Sequence, residues 1–230
     1  TFGGTILAGY TELQAANAAF WAADAACHQS RIAGAMGNYG GNLSPEIEQE
    51  ALGLLGLTPF YGSTQVLSRV VYARLAQSLE LVAKALAKIA MDFRLGARSG
   101  YTLWQEPFGR SQKGSSAMPH KKNTIAAEQM AGMARMASGK ARTLVDNIDT
   151  WERRDISQSC VERVEWPDLY HIVMRMLTTM TRIFDGMRVY SDTMLREIVD
   201  SRGTYASDEA QNWLAEEFVQ PSIDVDAYRV

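Results

Sequence analysis

The sequence predicts an all-α fold built on a bundle of long helices, and three observations carry that prediction. The six prolines, Pro45, Pro59, Pro107, Pro119, Pro167 and Pro221, leave long stretches uninterrupted. Between Gln65 and Leu95 the apolar residues Leu67, Val71, Leu75, Leu79, Val82, Leu86, Ile89 and Phe93 recur at gaps of three or four. That is the helical period held over several turns, too long for an ordinary globular helix and suited to a bundle. No β-rich segment bounded by turn signals appears.

Taken in order, Thr5 to His28 is the first long helix, rich in Ala and without Gly or Pro after Gly9. Ser44-Pro45-Glu46 reads as an N-cap, a proline at the first helical position and an acid in the first turn. The short helix it opens should stop near Gly53 or Gly56. The Gln65–Leu95 helix follows, with Gly96 as its stop. Asn123 to Asp146 is a third long helix, with Ile125, Met130, Met133, Met136 and Leu144 among its apolar positions and methionine as core filler. Leu169 to Val189 is a fourth, restarting after Trp166-Pro167-Asp168. Breaks fall at Gly34–Asn42, Leu57–Ser63, Gly96–Ser116 and Asp149–Ser159. Around Val189-Tyr190-Ser191 the pattern gives way to shorter, more polar segments. Residues 1–190 are therefore read as the helical-bundle domain and 191–230 as the start of a small C-terminal helical region.

Composition narrows the function. The 230 residues carry 23 Lys and Arg against 26 Asp and Glu, a formal net charge of -3, with 47% hydrophobic residues. An acidic balance argues against wholesale binding to nucleic acid or to an anionic membrane, while leaving room for a small anion held by local cations. No apolar run reaches the ~18–20 residues of a membrane span. The opening residues are not expected to be a signal peptide. Cys27 and Cys160 are too few for a disulfide framework, so reduced thiols in a cytoplasmic protein are expected.

The stretch Gly114-Ser115-Ser116-Ala117-Met118-Pro119-His120-Lys121-Lys122-Asn123 is the richest in chemistry. A Gly-Ser-Ser turn precedes two lysines and an amide at a helix start. Backbone N–H groups, a helix N-terminus and ammonium groups can converge there on an anion. A serine in such a field can serve as a base, because its alkoxide is stabilised. The alternative from the residues alone is a solvated, lysine-bearing loop. A P-loop is excluded, since Ser115 follows Gly114 where that motif demands Lys. In order and spacing, Gly-Ser-Ser, then Met-Pro, then Lys121 and Asn123, the stretch resembles the signature of the fumarase/aspartase superfamily. Thr124 departs from it, standing where members usually carry Pro. The resemblance implies a long central helical bundle, tetrameric assembly, and elimination across a C–N or C–O bond.

A second stretch selects a branch. Trp151-Glu152-Arg153-Arg154-Asp155-Ile156-Ser157-Gln158-Ser159-Cys160-Val161-Glu162-Arg163 resembles a segment of the adenylosuccinate lyase family. Arg153 departs from the pattern by taking the place of a Glu. The resemblance makes Arg154, Ser159 and Arg163 substrate contacts. Two arginines and a serine within ten residues also make a monophosphate clamp on chemical grounds, since guanidinium binds phosphate through paired bonds. The competing reading is a helix face neutralised by Glu152, Asp155 and Glu162. Ser63-Thr64-Gln65, with Arg69 after it, is a third match, and the family makes Gln65 a substrate contact. From the residue alone, a helix-start amide facing water serves as well. Gln129 falls at a further contact position. Arg31-Ile32-Ala33-Gly34-Ala35-Met36-Gly37 resembles the family's glycine-bearing loop and receives no catalytic role.

The resemblance implies β-elimination of fumarate from adenylosuccinate to give AMP, with the parallel cleavage of the succinyl-carboxamide ribotide of purine synthesis. Ser115 would take the β-proton. Ser116, Lys121, Asn123, Gln65 and Gln129 would join the substrate contacts, and Arg154, Ser159 and Arg163 would hold the nucleotide. No metal or organic cofactor is expected. His28 and His171 have no partners at metal-ligand spacing, and His120 is not assigned as the acid. The family's upstream histidine motifs have no counterpart here, and its length continues past Val230. The general acid is therefore expected outside these residues, and residues 1–230 alone are expected to be inactive. Sites shared between the subunits of a homotetramer are expected. The alternatives are a sister lyase acting on argininosuccinate or a carboxymuconate, and an inactive helical-bundle fragment.

Overall fold

Helix caps, apolar seams and a few buried polar side chains set the architecture of the computed structural model, which describes residues 2–41, 43–109, 118 and 122–201. Among them are six helices: α1 (Phe2–Ala26), α2 (Pro45–Leu54), α3 (Arg69–Gly96), α4 (Ile125–Asp146), α5 (Ile156–Gly186) and α6 (Ser191–Asp200). Four two-residue strands join them: β1 (Gln29–Ser30), β2 (Thr58–Pro59), β3 (Trp104–Gln105) and β4 (Arg188–Val189). No described helix is long and apolar enough to cross a membrane. The chain divides into two units, the first comprising Thr1–Asp92 and Ile125–Thr181, the second Phe93–Thr124 and Arg182–Val230.

The all-α expectation holds, with two minimal pairings that the sequence pattern did not signal. β1 pairs with β2 in parallel, Gln29 opposite Thr58, and β3 pairs with β4 antiparallel, Trp104 opposite Val189. Two residues are too short for an alternation of side chains to register.

In the first unit, α3 buries Leu75, Leu79, Val82 and Leu86 of the predicted stripe, with Ala76, Ala83 and Ala90 beside them. Leu67 lies ahead of the helix. α3 begins only at Arg69, and Ser68 Oγ accepts from the Val70 N–H at 3.4 Å. Gln65 therefore sits in the preceding loop rather than at the helix start. α1 has apolar residues all round yet buries only Gly9, Ala16 and Ala23, one small residue every seven. A Cβ on Gly9 would come within 2.8 Å of Ile89 Cγ1 on α3. The two helices therefore approach closely at that point, and Lys88 reaches Glu12 across them at 3.6 Å.

α4 bears out the expected methionine core only at Met130. Its buried seam is Ala126, Ala127, Met130, Ala134, Ala137, Ala141 and Leu144, while Met136 and Ile125 are exposed. α5 corrects the expected restart at Trp166-Pro167-Asp168. The helix begins at Ile156 and passes through Pro167 without a break. An interior proline costs about 3 kcal/mol, and three features offset it. Pro167 is exposed. Leu169, Val173, Met176, Met180 and Ile183 are buried beyond it. Lys140 of α4 binds Glu165 at 3.3 Å and Asp168 at 2.7 Å, so one ammonium holds the turns on both sides of the proline. The bond to Asp168, and further that to Glu165, raise the Lys140 pKa against the opposing effect of burial.

α2 follows its expected cap, with Ser44 Oγ accepting from the Ile47 N–H, and it ends two residues before Gly56 at φ +68°. Its Glu48 is only 2% exposed. One carboxylate oxygen accepts from the Ile32 N–H and the other from the Tyr39 hydroxyl, each at 2.6 Å. Burial pushes the Glu48 carboxyl up. The bonds from Tyr39, Ile32 and Ala33 and the nearby Arg31 charge outweigh it, and the pKa is lowered.

In the second unit, the Trp104 indole lies against Gly96, where an added Cβ would overlap the ring. The Trp104 Nε1–H donates to the Phe93 carbonyl at 2.7 Å, and Leu103 N–H donates to Gly96 O at 2.7 Å. Gly186 ends α5 with Pro107 where its side chain would stand.

Candidate active site

Two of the three stretches singled out in the sequence meet in the first unit. The loop between β2 and α3 carries Ser63, Thr64 and Gln65, and the turn between α4 and α5 carries Arg153 and Arg154. Thr64 Oγ1 donates to the Arg153 carbonyl at 3.2 Å. Further along, Arg69 at the first position of α3 grips Glu162 of α5, with Nε–Oε1 at 2.9 Å and Nη2–Oε2 at 3.4 Å. Segments 89 to 93 residues apart in sequence are thus tied at two points.

The acids of the arginine-bearing segment decide between the two readings of it. Glu162 is engaged by Arg69. Asp155 caps α5, its Oδ1 accepting from the Ser157 N–H at 2.9 Å, and that bond lowers its pKa. Neither acid neutralises Arg154 or Arg163. Both arginines are exposed, as is Gln65, and none of the three has a side-chain partner among the described residues. Ser159 lies in the first turn of α5, its Oγ donating to Ile156 O at 3.2 Å. Among the described residues no ion pair joins either arginine to Glu152, Asp155 or Glu162, so the neutralised helix face is not formed there. Exposed guanidinium groups in a segment that also carries Ser159 can bind an anion through charge-assisted bonds.

The turn that holds Arg153 and Arg154 is fixed from inside by Gln158, which is 1% exposed. Its Nε2 donates to Asn147 O at 2.8 Å and to Thr150 Oγ1 at 2.5 Å, while Asn147 Nδ2 returns a bond to Gln158 O at 3.2 Å. Glu152, at φ +53°, completes the turn in the left-handed region.

Sequence reasoning gave the Arg31–Gly37 loop no catalytic role, and the structure gives it a supporting one. The Arg31 guanidinium donates to both the carbonyl oxygen and the hydroxyl of Ser63. Gly37 has φ +71°, and a Cβ there would lie 2.7 Å from Ser63 O and 2.8 Å from Arg31 Nη2. The resemblance marked the glycine, while nothing local could pair Arg31 with a serine 32 residues away.

Gln129 is exposed on α4 and has no side-chain hydrogen bond to this cluster. In the second unit Asn123 is half-buried just ahead of α4. Its neighbour Lys122 reaches Gln105 Oε1 at 3.4 Å and stands 5.6 Å from the centre of the Phe108 ring. Tyr190 donates to the same Gln105 oxygen at 3.0 Å. Ser115, Ser116 and Lys121 lie outside the described residues. Among the described residues no group of three His, Cys, Asp or Glu is disposed to hold a metal ion.

A family model described as "Lyase" matches residues 1–139. The chain belongs to this lyase family. Curated relatives carry the name adenylosuccinate lyase. That of Synechocystis sp. is 39% identical over 200 residues, covering 87% of this chain and 46% of the relative. That of Thermotoga maritima is 37% identical over 203 residues, covering 88% and 47%. That of Bacillus subtilis is 36% identical over 198 residues, covering 86% and 46%. The chain therefore spans about half the length of the curated relatives it matches. Among solved structures, a fumarate lyase from Mesorhizobium sp. BNC1 aligns with TM-score 0.69 at 21% identity, covering 84% of this chain and 42% of that one. A 3-carboxy-cis,cis-muconate lactonizing enzyme from Pseudomonas putida aligns with TM-score 0.62 at 25% identity, covering 78% and 38%. The helical fold of this chain is that of its structural neighbours, as the signature stretch led us to expect.

Proposed function

We propose that the protein is an adenylosuccinate lyase. The observation that carries the reading is the pair of exposed arginines, Arg154 and Arg163, which have no side-chain partner among the described residues and lie in a segment tied to the Gln65 loop by the Thr64–Arg153 and Arg69–Glu162 bonds. The names of the curated relatives support it. Arg154, Ser159 and Arg163 hold the nucleotide through its phosphate, and Gln65, Ser116 and Gln129 complete the contacts. Ser115 removes the proton from the carbon beside a substrate carboxylate. Lys121 and Asn123 stabilise the doubly negative aci-carboxylate that results, as fixed donors stabilise an oxyanion. The C–N bond then breaks, the electron pair leaves on nitrogen, and fumarate and AMP form. A proton must reach that nitrogen, and the resemblance assigns its donor to a histidine motif not found among these 230 residues. The succinyl-carboxamide ribotide would be cleaved in the same way.

In this reading residues 1–190 are the bundle domain and 191–230 open a small C-terminal helical domain. The protein works in the cytoplasm as a homotetramer with sites shared between subunits, a state that sedimentation equilibrium would reveal. The deciding experiment is an absorbance assay of fumarate release by the full-length protein, with adenylosuccinate, argininosuccinate and a carboxymuconate offered separately. Release from adenylosuccinate alone is expected. Turnover of either other substrate in its place, or of none, overturns the reading.

A further inference from the structure

We propose that the Arg69–Glu162 ion pair is a positioning device that sets the affinity of the site for its nucleotide. The proposal rests on the adenylosuccinate lyase reading above. Neither residue is assigned a contact with substrate. Both are mostly buried, with side-chain exposures of 13% for Arg69 and 24% for Glu162.

The argument lies in where the links land. Arg69 meets both carboxylate oxygens of Glu162, and its Nη1 also donates to the Leu67 carbonyl at 3.2 Å. One guanidinium therefore joins the exit of the Gln65 loop to α5. Glu162 directly precedes Arg163. At the loop's other end, Thr64 binds the carbonyl of Arg153, which directly precedes Arg154. Each tether thus attaches to the residue before one of the two free arginines, and Gln65 lies between the tethers. Together they tie the backbone segments that carry Gln65, Arg154 and Arg163, whose side chains have no partner among the described residues.

Preorganisation of this kind lowers the ordering cost of binding. Losing it separates the groups that must grip one ligand together, while the chemistry at the signature loop is untouched. The geometry also needs arginine. Lysine is a point charge that cannot meet two carboxylate oxygens in a fork and a backbone carbonyl together.

The test uses the full-length protein and the variants Arg69→Ala, Arg69→Lys, Glu162→Gln and Arg69→Ala/Glu162→Gln. KM and kcat for fumarate release, the inhibition constant of AMP and the melting temperature are read for each. Both single variants are expected to raise KM and the AMP constant about tenfold, through lost preorganisation, with kcat within about threefold of the parent. The double variant should be no worse than either single one, since coupled partners are non-additive. Arg69→Lys should recover only part of the affinity. Unchanged KM and AMP constant with a lowered melting temperature would make the pair structural only and overturn the proposal. So would a collapse of kcat at constant KM. If Arg69→Ala fails to fold, the isosteric Glu162→Gln carries the same readouts. A parent that neither releases fumarate nor binds AMP would sink the underlying reading, and this proposal with it. A parent active on adenylosuccinate with indifferent variants would sink this proposal alone.

Discussion

Replacing Glu48 by alanine removes two 2.6 Å hydrogen bonds at once, those from the Ile32 N–H and the Tyr39 hydroxyl. Each involves a carboxylate, and hydrogen bonds to charged groups contribute about 1.5–3 kcal/mol. The two share one group, and Tyr39 is only half-buried, so its hydroxyl can return to water. We therefore expect a loss of about 3 kcal/mol rather than the upper sum of the two bonds. Glu48→Gln keeps an acceptor for the Ile32 N–H, and its amide can donate to the tyrosine oxygen. It loses the charge alone and should cost about 1 kcal/mol. Urea unfolding followed by circular dichroism gives both numbers. The pH dependence adds a second check. The Glu48 carboxyl is held below its ordinary value of 4.5 in the folded chain. The folded state thus binds fewer protons there than the unfolded one. Its stabilisation is complete above that ordinary value and is lost as pH falls below it. Glu48→Gln should flatten that part of the acid limb. Equal losses for Ala and Gln, an Ala loss under about 0.5 kcal/mol, or an unchanged acid limb would refute the reasoning.

Three further outcomes are expected. Ser115→Ala should lower turnover at least about a hundredfold through loss of the proton-transfer group, with AMP still bound. Near-normal turnover of that variant, beside loss in Ser116→Ala, would transfer the role to the second serine. Arg154→Ala and Arg163→Ala should each weaken AMP binding by about 1.5–3 kcal/mol, and Lys should not restore it; isothermal titration matching the parent would return both to a solvated face. Gly37→Ala should cost at least about 1–2 kcal/mol for a left-handed residue with a Cβ and should raise KM by displacing Ser63 and Arg31. Chemical denaturation alongside steady-state kinetics measures both, and a neutral variant would contradict the Gly37–Ser63 contact.

What could be read in the sequence was periodic or contiguous. The α3 stripe, the Ser44 cap and the Trp151–Arg163 segment each announce themselves within a few turns of chain. The course of α5 did not. Pro167 is a sound local stop signal, and it was overridden by a lysine on another helix and by a buried seam beyond it. Asp155, followed by Ile156, was legible as a cap in principle, but the proline drew the boundary further on. The large apolar residues of α4 signal its core only at Met130 and Leu144, because the rest of its close seam is built from alanine. Arg31 with Ser63, and Arg69 with Glu162, join positions 32 and 93 residues apart. No single sequence encodes such a pairing in its spacing. The sequence therefore offers candidate residue types for the site, while the contacts that tie their segments together lie beyond its spacing.

The seam of α1 has a consequence for how the native state comes apart. Burying Gly9, Ala16 and Ala23 removes little apolar surface from water, whereas each buried Leu of α3 contributes about 1.5–3 kcal/mol. Tyr10, Trp21 and Leu7 stay more than half exposed on α1, so its large side chains contribute only part of their area to its attachment. Regions with few buried apolar contacts open at free energies far below that of global unfolding. Amide protons of α1 should therefore exchange with deuterium through a local opening that leaves α3 closed, and those near Leu79, Val82 and Leu86 should exchange last. The close approach that lets α1 lie against Ile89 is thus also what makes it easier to detach than α3.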